Sequence, residues 1–196
     1  MSKNLTKKII AGKYKGVTLN LPSKNSTRSS KAIVLESFFN TIQFDVIDSV
    51  FVEVFSGSGS VGLEALSRGA KKIFFMEKDK DALKVLRANI KKTAPQQCEV
   101  FGGDSFENIT TVMQRVKALN EEAYIYIDPP FSIREGMEDI YDKTINLIKN
   151  LPPQNVKLII IEHMTGLELP QTIGVFELQK SKKFGKTTLS YLKFSE

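Results

Sequence analysis

The sequence predicts an α/β fold, a mainly parallel sheet with helices on both faces that ends in an antiparallel pair. Two observations predict it. From Ser49 onward, short apolar runs alternate with amphipathic stretches of helical length, the pattern of a parallel sheet with crossover helices. The last two runs, Val175–Ser181 and Thr187–Phe194, have no helix between them. Their link, Lys182-Lys183-Phe184-Gly185-Lys186, is short and contains glycine, so the two must run antiparallel.

The expected strands before that pair are Val50–Phe55, Lys72–Glu77, Cys98–Phe101, Ala123–Asp128 and Val156–Glu162. The helices between them are Val61–Arg68, Lys80–Lys92, Phe106–Leu119 and Arg134–Asn150. Gly69 suits a helix C-terminus, where positive φ costs glycine least. Asp79 suits an N-cap. Upstream, Lys31 to Thr41 places Val34, Leu35, Phe38 and Phe39 at helical spacing. Ser23 to Ser30 is polar and reads as a loop. Ile9-Ile10-Ala11 and Val17 to Leu21 read as strands, with Gly12-Lys13-Tyr14-Lys15-Gly16 as the turn between them. The expected organisation is a basic β-hairpin extension over residues 1–30 and a main domain over 31–196.

Composition sets the class. The 196 residues are 41% hydrophobic and 26% charged, ordinary values for a soluble globular chain. No apolar run approaches the roughly 20 residues that span a bilayer, and Met1 to Lys8 lacks the apolar centre of a signal peptide. The single Cys98 excludes an internal disulfide and a cysteine-based metal site, and no metal is expected. A cytoplasmic location without membrane contact follows, and a monomer is expected.

The net charge of +6 is unevenly placed. Residues 1–35 hold eight basic residues and no acid, whereas the rest of the chain holds 20 basic and 22 acidic residues. A basic segment can neutralise phosphates and release counterions, although a solubilising tail would have the same composition. Lys7, Lys8, Lys13, Tyr14, Lys15 and Arg28 are the expected RNA or DNA contacts.

The segment from Glu53 to Gly62 follows the first parallel strand and opens a helix. Gly57, Gly59 and Gly62 form G-x-G-x-x-G, which permits close approach of backbone to ligand. Alone it also fits a nicotinamide enzyme. Three acids sharpen it. Glu53 stands beside the loop, where a carboxylate suits a cationic ligand better than a pyrophosphate. Glu77 ends the second strand and can accept from ribose hydroxyls. Asp104, with Ser105, follows the third and can accept from an adenine amine. With Phe55 these form the expected cofactor site, and S-adenosyl-L-methionine, with its ammonium and sulfonium, is the expected cofactor. A parallel sheet ending in an antiparallel pair is also the architecture of class I S-adenosylmethionine-dependent, Rossmann-like methyltransferases.

Asp128-Pro129-Pro130-Phe131 directly follows the buried run Tyr124 to Ile127. Prolines lack N–H donors and fix φ, so they end the ladder and stiffen the turn. Asp128 and nearby carbonyls then become acceptors on a rigid loop, with Phe131 as a stacking face. An exocyclic base amine attacks poorly while its lone pair is delocalised into the ring. Acceptors gripping its N–H groups orient the lone pair, and the carboxylate offsets the developing positive charge. These four residues are the expected catalytic set. His163 is read as a core or rim residue.

The chain resembles the bacterial 16S ribosomal RNA guanine-N2 methyltransferase family RsmD. The resemblance rests on Ile9 to Gly16, on Thr27-Arg28 with Glu36 and Phe39-Asn40, on Glu53 to Ala70, on Asp128 to Phe131 and on Phe184 to Tyr191. It implies methyl transfer to a guanine N2 in 16S ribosomal RNA, within a small ribosomal subunit or an assembly intermediate. The chain departs from the family pattern at Glu53 (Asp), Ser56 (Ala), Ser29 (Pro), and Ile33 and Leu35 (both Arg). The competing readings are a DNA adenine-N6 methyltransferase, an NAD-dependent oxidoreductase, and an RNA-binding protein that keeps only the fold.

Overall fold

The computed structural model describes residues 5–22, 32–130 and 139–195. The chain runs β1 (Thr6–Lys8), β2 (Thr18–Asn20), α1 (Ala32–Thr41), β3 (Val50–Val54), α2 (Ser60–Ser67), β4 (Lys72–Glu77), α3 (Lys80–Ile90) and β5 (Cys98–Gly102). It continues through α4 (Ser105–Ala118), β6 (Ala123–Ile127), α5 (Ile140–Lys149), β7 (Val156–Met164), β8 (Thr172–Ile173), β9 (Phe176–Phe184) and β10 (Thr187–Phe194). Eight strands form one sheet in the order β5-β4-β3-β6-β7-β10-β9-β8. The pairs β4–β5, β3–β4, β3–β6 and β6–β7 are parallel, while β10 lies antiparallel to both β7 and β9.

The central strands are apolar on both faces because both faces are covered. Every residue of β3 and β6 is buried, as expected of parallel strands between helix layers. One layer holds α1, α2, α3 and the β1–β2 hairpin, with Leu35, Phe38, Leu63, Leu86, Ile9 and Leu19 in one core. The other holds α4 and α5, with Val112, Val116, Leu147 and Ile148. No helix among the described residues is long and apolar enough to cross a membrane.

The sheet follows the sequence reading closely. The strands Lys72–Glu77 and Thr187–Phe194 keep their expected bounds. Strand β3 stops at Val54 because Phe55 turns to φ 61°. Of the helix expected over Arg134–Asn150, the described part runs Ile140–Lys149; residues 134–138 lie outside the described residues, as do Arg28 and the whole loop expected over Ser23–Ser30.

The N-terminal hairpin corrects the reading. Its ladder is Thr6–Lys8 against Thr18–Asn20, with Lys7 opposite Leu19, and Ile9 to Ala11 is not a strand. Helix α2 competes for those backbone donors. The Glu64 carboxylate accepts from the N–H of Ile10 at 2.7 Å and of Ala11 at 3.1 Å. Ser67 accepts from Lys13 N–H at its carbonyl and from Tyr14 N–H at its hydroxyl. The approach is so close that a Cβ on Gly12 would lie 1.9 Å from the Ser67 carbonyl oxygen. The hairpin is therefore docked, and Tyr14 is half-buried against the core.

Candidate active site

Strand order reverses between β3 and β6, the place where open α/β sheets bind ligands beyond their strand ends. A cleft of about 1600 Å³ opens there, lined by Phe55, Gly57, Glu77, Ser105, Asp128 and Pro130 among others. A single-ligand pocket measures roughly 300–1,000 Å³, so the cleft has room for a cofactor and a second group.

The half formed by β3, β4 and β5 is built on backbone hydrogen bonds. Glu53 is buried, and its carboxylate accepts from Val61 N–H at 3.3 Å and Gly62 N–H at 2.8 Å. Burial pushes its carboxyl up to about 8, against the pull of those two N–H groups and of Lys7. Glu77 ends β4. One carboxylate oxygen accepts from Gly57 N–H at 2.6 Å, and the other from the N–H of Lys78 and Asp79. Asp104 caps α4 by accepting from Phe106 N–H and lies 3.1 Å from Lys78 Nζ. Burial would raise its carboxyl, but those two donors outweigh it and hold the group below its usual range.

The glycines divide their work. Gly57 lines the cleft and gives its N–H to Glu77. Gly59 and Gly62 serve packing. A Cβ on Gly62 would lie 2.5 Å from the Phe75 ring and 2.9 Å from the Glu53 carboxylate, and one on Gly59 2.4 Å from Leu86. The helix thereby sits close enough to β3 for Glu53 to reach its N-terminus. Phe55 keeps its left-handed φ at a cost of about 1–2 kcal/mol, and its ring meets Phe106 edge-on at 5.4 Å. Phe106 also lines the cleft, and the sequence reading missed it.

Ser105 tests whether this half fits S-adenosylmethionine. Ser105 lines the cleft, and its buried hydroxyl has no hydrogen-bond partner among the described residues. A buried hydroxyl in that state needs a ligand group or an ordered water. It shares the cleft with Phe55 and Phe106 and with Glu53 and Glu77, carboxylates suited to an ammonium and to ribose hydroxyls, so the residues fit.

The half formed by β6 and β7 is built from side chains. Asp128, Pro129 and Pro130 follow β6 and line the cleft; Phe131 lies outside the described residues. Tyr126 Oη donates to Glu162 Oε2 at 2.6 Å, with both groups buried. Phe38 of α1 packs on the Tyr126 ring at 5.2 Å and fixes its direction. His163 is buried one residue on, with its ring nitrogens 3.0 Å from the Met164 carbonyl and 2.8 Å from Ser190 Oγ. Among the departures, Leu35 is wholly buried in the core beside Phe38, whereas Ile33 is exposed.

The expected RNA contacts separate. Lys8, Lys13 and Lys15 are exposed, with the Lys13 ammonium 5.4 Å from the centre of the Tyr14 ring. Lys7 points the other way. Its ammonium sits in the field of Glu162, Glu53, Glu64 and Asp128, and burial pulls it down to about 8 against their attraction. A usable signal was present: Lys7 lies two residues before the apolar Ile9, and strand alternation puts both on one face.

The sequence matches the family described as conserved hypothetical protein 95 over residues 7–193. It is 32% identical to ribosomal RNA small subunit methyltransferase D of Haemophilus influenzae over 63% of each chain. It is 28% identical to the protein of that name from Escherichia coli, covering 91% of this chain and 85% of that one. The fold matches an RNA methyltransferase from Salinibacter ruber in complex with S-adenosyl-L-homocysteine, at TM-score 0.56 and 17% identity over 86% of this chain and 95% of that one. The architecture is that of the S-adenosylmethionine-dependent methyltransferases.

Proposed function

The chain belongs to the conserved hypothetical protein 95 family, and from that premise we propose that it methylates the exocyclic N2 of a guanine in small-subunit ribosomal RNA, with S-adenosylmethionine as donor. The observation that carries the reading is one cleft with two kinds of wall. Glu77, Ser105 and Phe55 suit a nucleoside cofactor, and Asp128-Pro129-Pro130 faces the same space. The choice of ribosomal RNA and of guanine rests on the relatives' names and on the RsmD resemblance.

Bound S-adenosylmethionine supplies an electrophilic methyl group. Glu53 from β3 and Glu77 from the end of β4 would orient the cofactor beside the glycine loop. The target base must leave its stack to enter, and the cleft of about 1600 Å³ has room for it beside a cofactor. Asp128 accepts an N–H of the amine, turns the nitrogen lone pair toward the methyl, and offsets the positive charge that develops on nitrogen. Positioning of this kind supplies much of the rate. Exposed Lys8, Lys13 and Lys15 contact RNA phosphates on the outer face of the hairpin.

The oxidoreductase reading loses ground at Glu53. In dinucleotide folds the pyrophosphate sits on the N-terminus of the first helix. Here the N–H groups of Val61 and Gly62 already hold a carboxylate. The test is methyl transfer from labelled S-adenosylmethionine to small ribosomal subunits from cells lacking the gene, to naked ribosomal RNA, and to duplex DNA. Mass spectrometry should find N2-methylguanosine in the ribosomal RNA. Methylation confined to adenine in DNA would refute the assignment.

A further inference from the structure

The N-terminal hairpin brings a cation into the field of the carboxylates of the acceptor half, the side of the site formed by β6 and β7. Lys7 stands opposite Leu19, which is buried, while its neighbours Thr6 and Lys8 face solvent. The charged groups around its ammonium come from every surrounding element: Glu162 from β7, Glu53 from β3, Glu64 from α2, and Asp128 from the turn after β6. Glu64 is already committed to Ile10 N–H, Ala11 N–H and the Arg68 guanidinium, and Glu53 to Val61 and Gly62. Glu162 acts on the ammonium more strongly than the other three. It is itself held by Tyr126, two residues before Asp128.

We propose that Lys7 is a positioning residue of the acceptor half, whose ammonium holds Glu162 and Asp128 and keeps Asp128 aimed at the acceptor amine. The role rests on the reading above, in which Asp128 grips that amine. Like charges in a shared site disfavour joint ionisation, and an opposite charge relieves this. Without Lys7, no cation offsets the like charges of Asp128 and Glu162, and the hold of Asp128 on the acceptor amine weakens.

Three variants and one titration test this. Lys7→Met should lower kcat on small ribosomal subunits on the order of 100-fold, the scale of a misplaced catalytic group. Its affinity for S-adenosylmethionine and its melting temperature should stay those of the wild type. The acid limb of its pH–rate profile should move to higher pH, and Lys7→Arg, which keeps the charge, should return the limb to its place and restore most of the turnover. In the unliganded protein, NMR of labelled lysine should find Lys7 titrating near 8, and lower still in Glu162→Gln. A Lys7→Met enzyme with wild-type kcat and pH profile would overturn the role while leaving the methylation reading intact. So would a loss of turnover that tracks a loss of melting temperature, or a Lys7 that titrates like a surface lysine. A wild-type enzyme inactive on every RNA would instead sink the parent reading, and this role with it.

Discussion

The two halves of the cleft hold their carboxylates by different means. In the cofactor half, Glu53, Glu77 and Asp104 are each fixed by backbone N–H groups of an adjoining turn or helix start. In the acceptor half, Glu162 is fixed by the Tyr126 hydroxyl and faces Lys7 from the hairpin, far away in sequence. Backbone donors do not change with residue type, so the first half tolerates substitution of its neighbours and depends on loop geometry. The second depends on the identity of a few side chains and on the hairpin staying docked.

Four variants can sharpen or break that contrast. The largest effect is expected from Asp128→Ala, which should lower kcat about 10²–10³-fold, the scale of losing one electrostatic stabiliser. Cofactor affinity, measured by calorimetry, should stay unchanged if the halves are separable, and a parallel loss would break the comparison. Glu77→Ala should do the reverse and weaken S-adenosylmethionine binding by about 1.5–3 kcal/mol, the value of hydrogen bonds to a charged group.

Glu53 gives a proton readout. Burial raises its carboxyl to about 8 in the folded chain, above the value of about 4.3 of an unperturbed glutamate. The folded chain therefore holds the extra proton across that window. The resulting stability is full below the unfolded value and is lost as pH rises through about 8. Pairing with an ammonium favours the ionised form. Cofactor binding at pH near 6.5 should thus release up to one proton, and calorimetry in two buffers of different ionisation enthalpy measures it. Glu53→Gln should abolish the release. The smallest effect belongs to the outer face of the hairpin. Replacing Lys8, Lys13 and Lys15 with Ala should reduce the salt slope of RNA binding by about 0.7 for each single-strand phosphate that the variant no longer neutralises, without changing kcat.

The two halves also differed in how much of them the sequence disclosed. Glu53, Gly57, Glu77 and Asp104 were readable because each lies at a strand end or in the turn that follows, and local spacing alone brings them to one edge. Asp128 was readable for the same reason. The partnership of Tyr126, Glu162 and Lys7 was not, because β6, β7 and β1 meet only after the sheet is assembled. Starting the strand at Ile9 left Lys7 outside it, so the alternation that turns Lys7 inward was not applied. What displaced that strand was Glu64 and Ser67 on α2, whose claim on the Ile10, Ala11, Lys13 and Tyr14 donors arises only through docking.

By itself, then, the sequence determined the α/β sheet with its antiparallel end, the glycine loop, the acids that follow the strands, and the rigid Asp128 turn. Apolar periodicity and turn chemistry act over short stretches of chain, and a linear reading captures them. Tertiary structure alone decided that the basic N-terminus splits between two environments, with Lys8, Lys13 and Lys15 outside and Lys7 among carboxylates. The reason is electrostatic. A lysine's surroundings depend on which charges the fold brings within a few ångströms, and neither composition nor net charge carries that information.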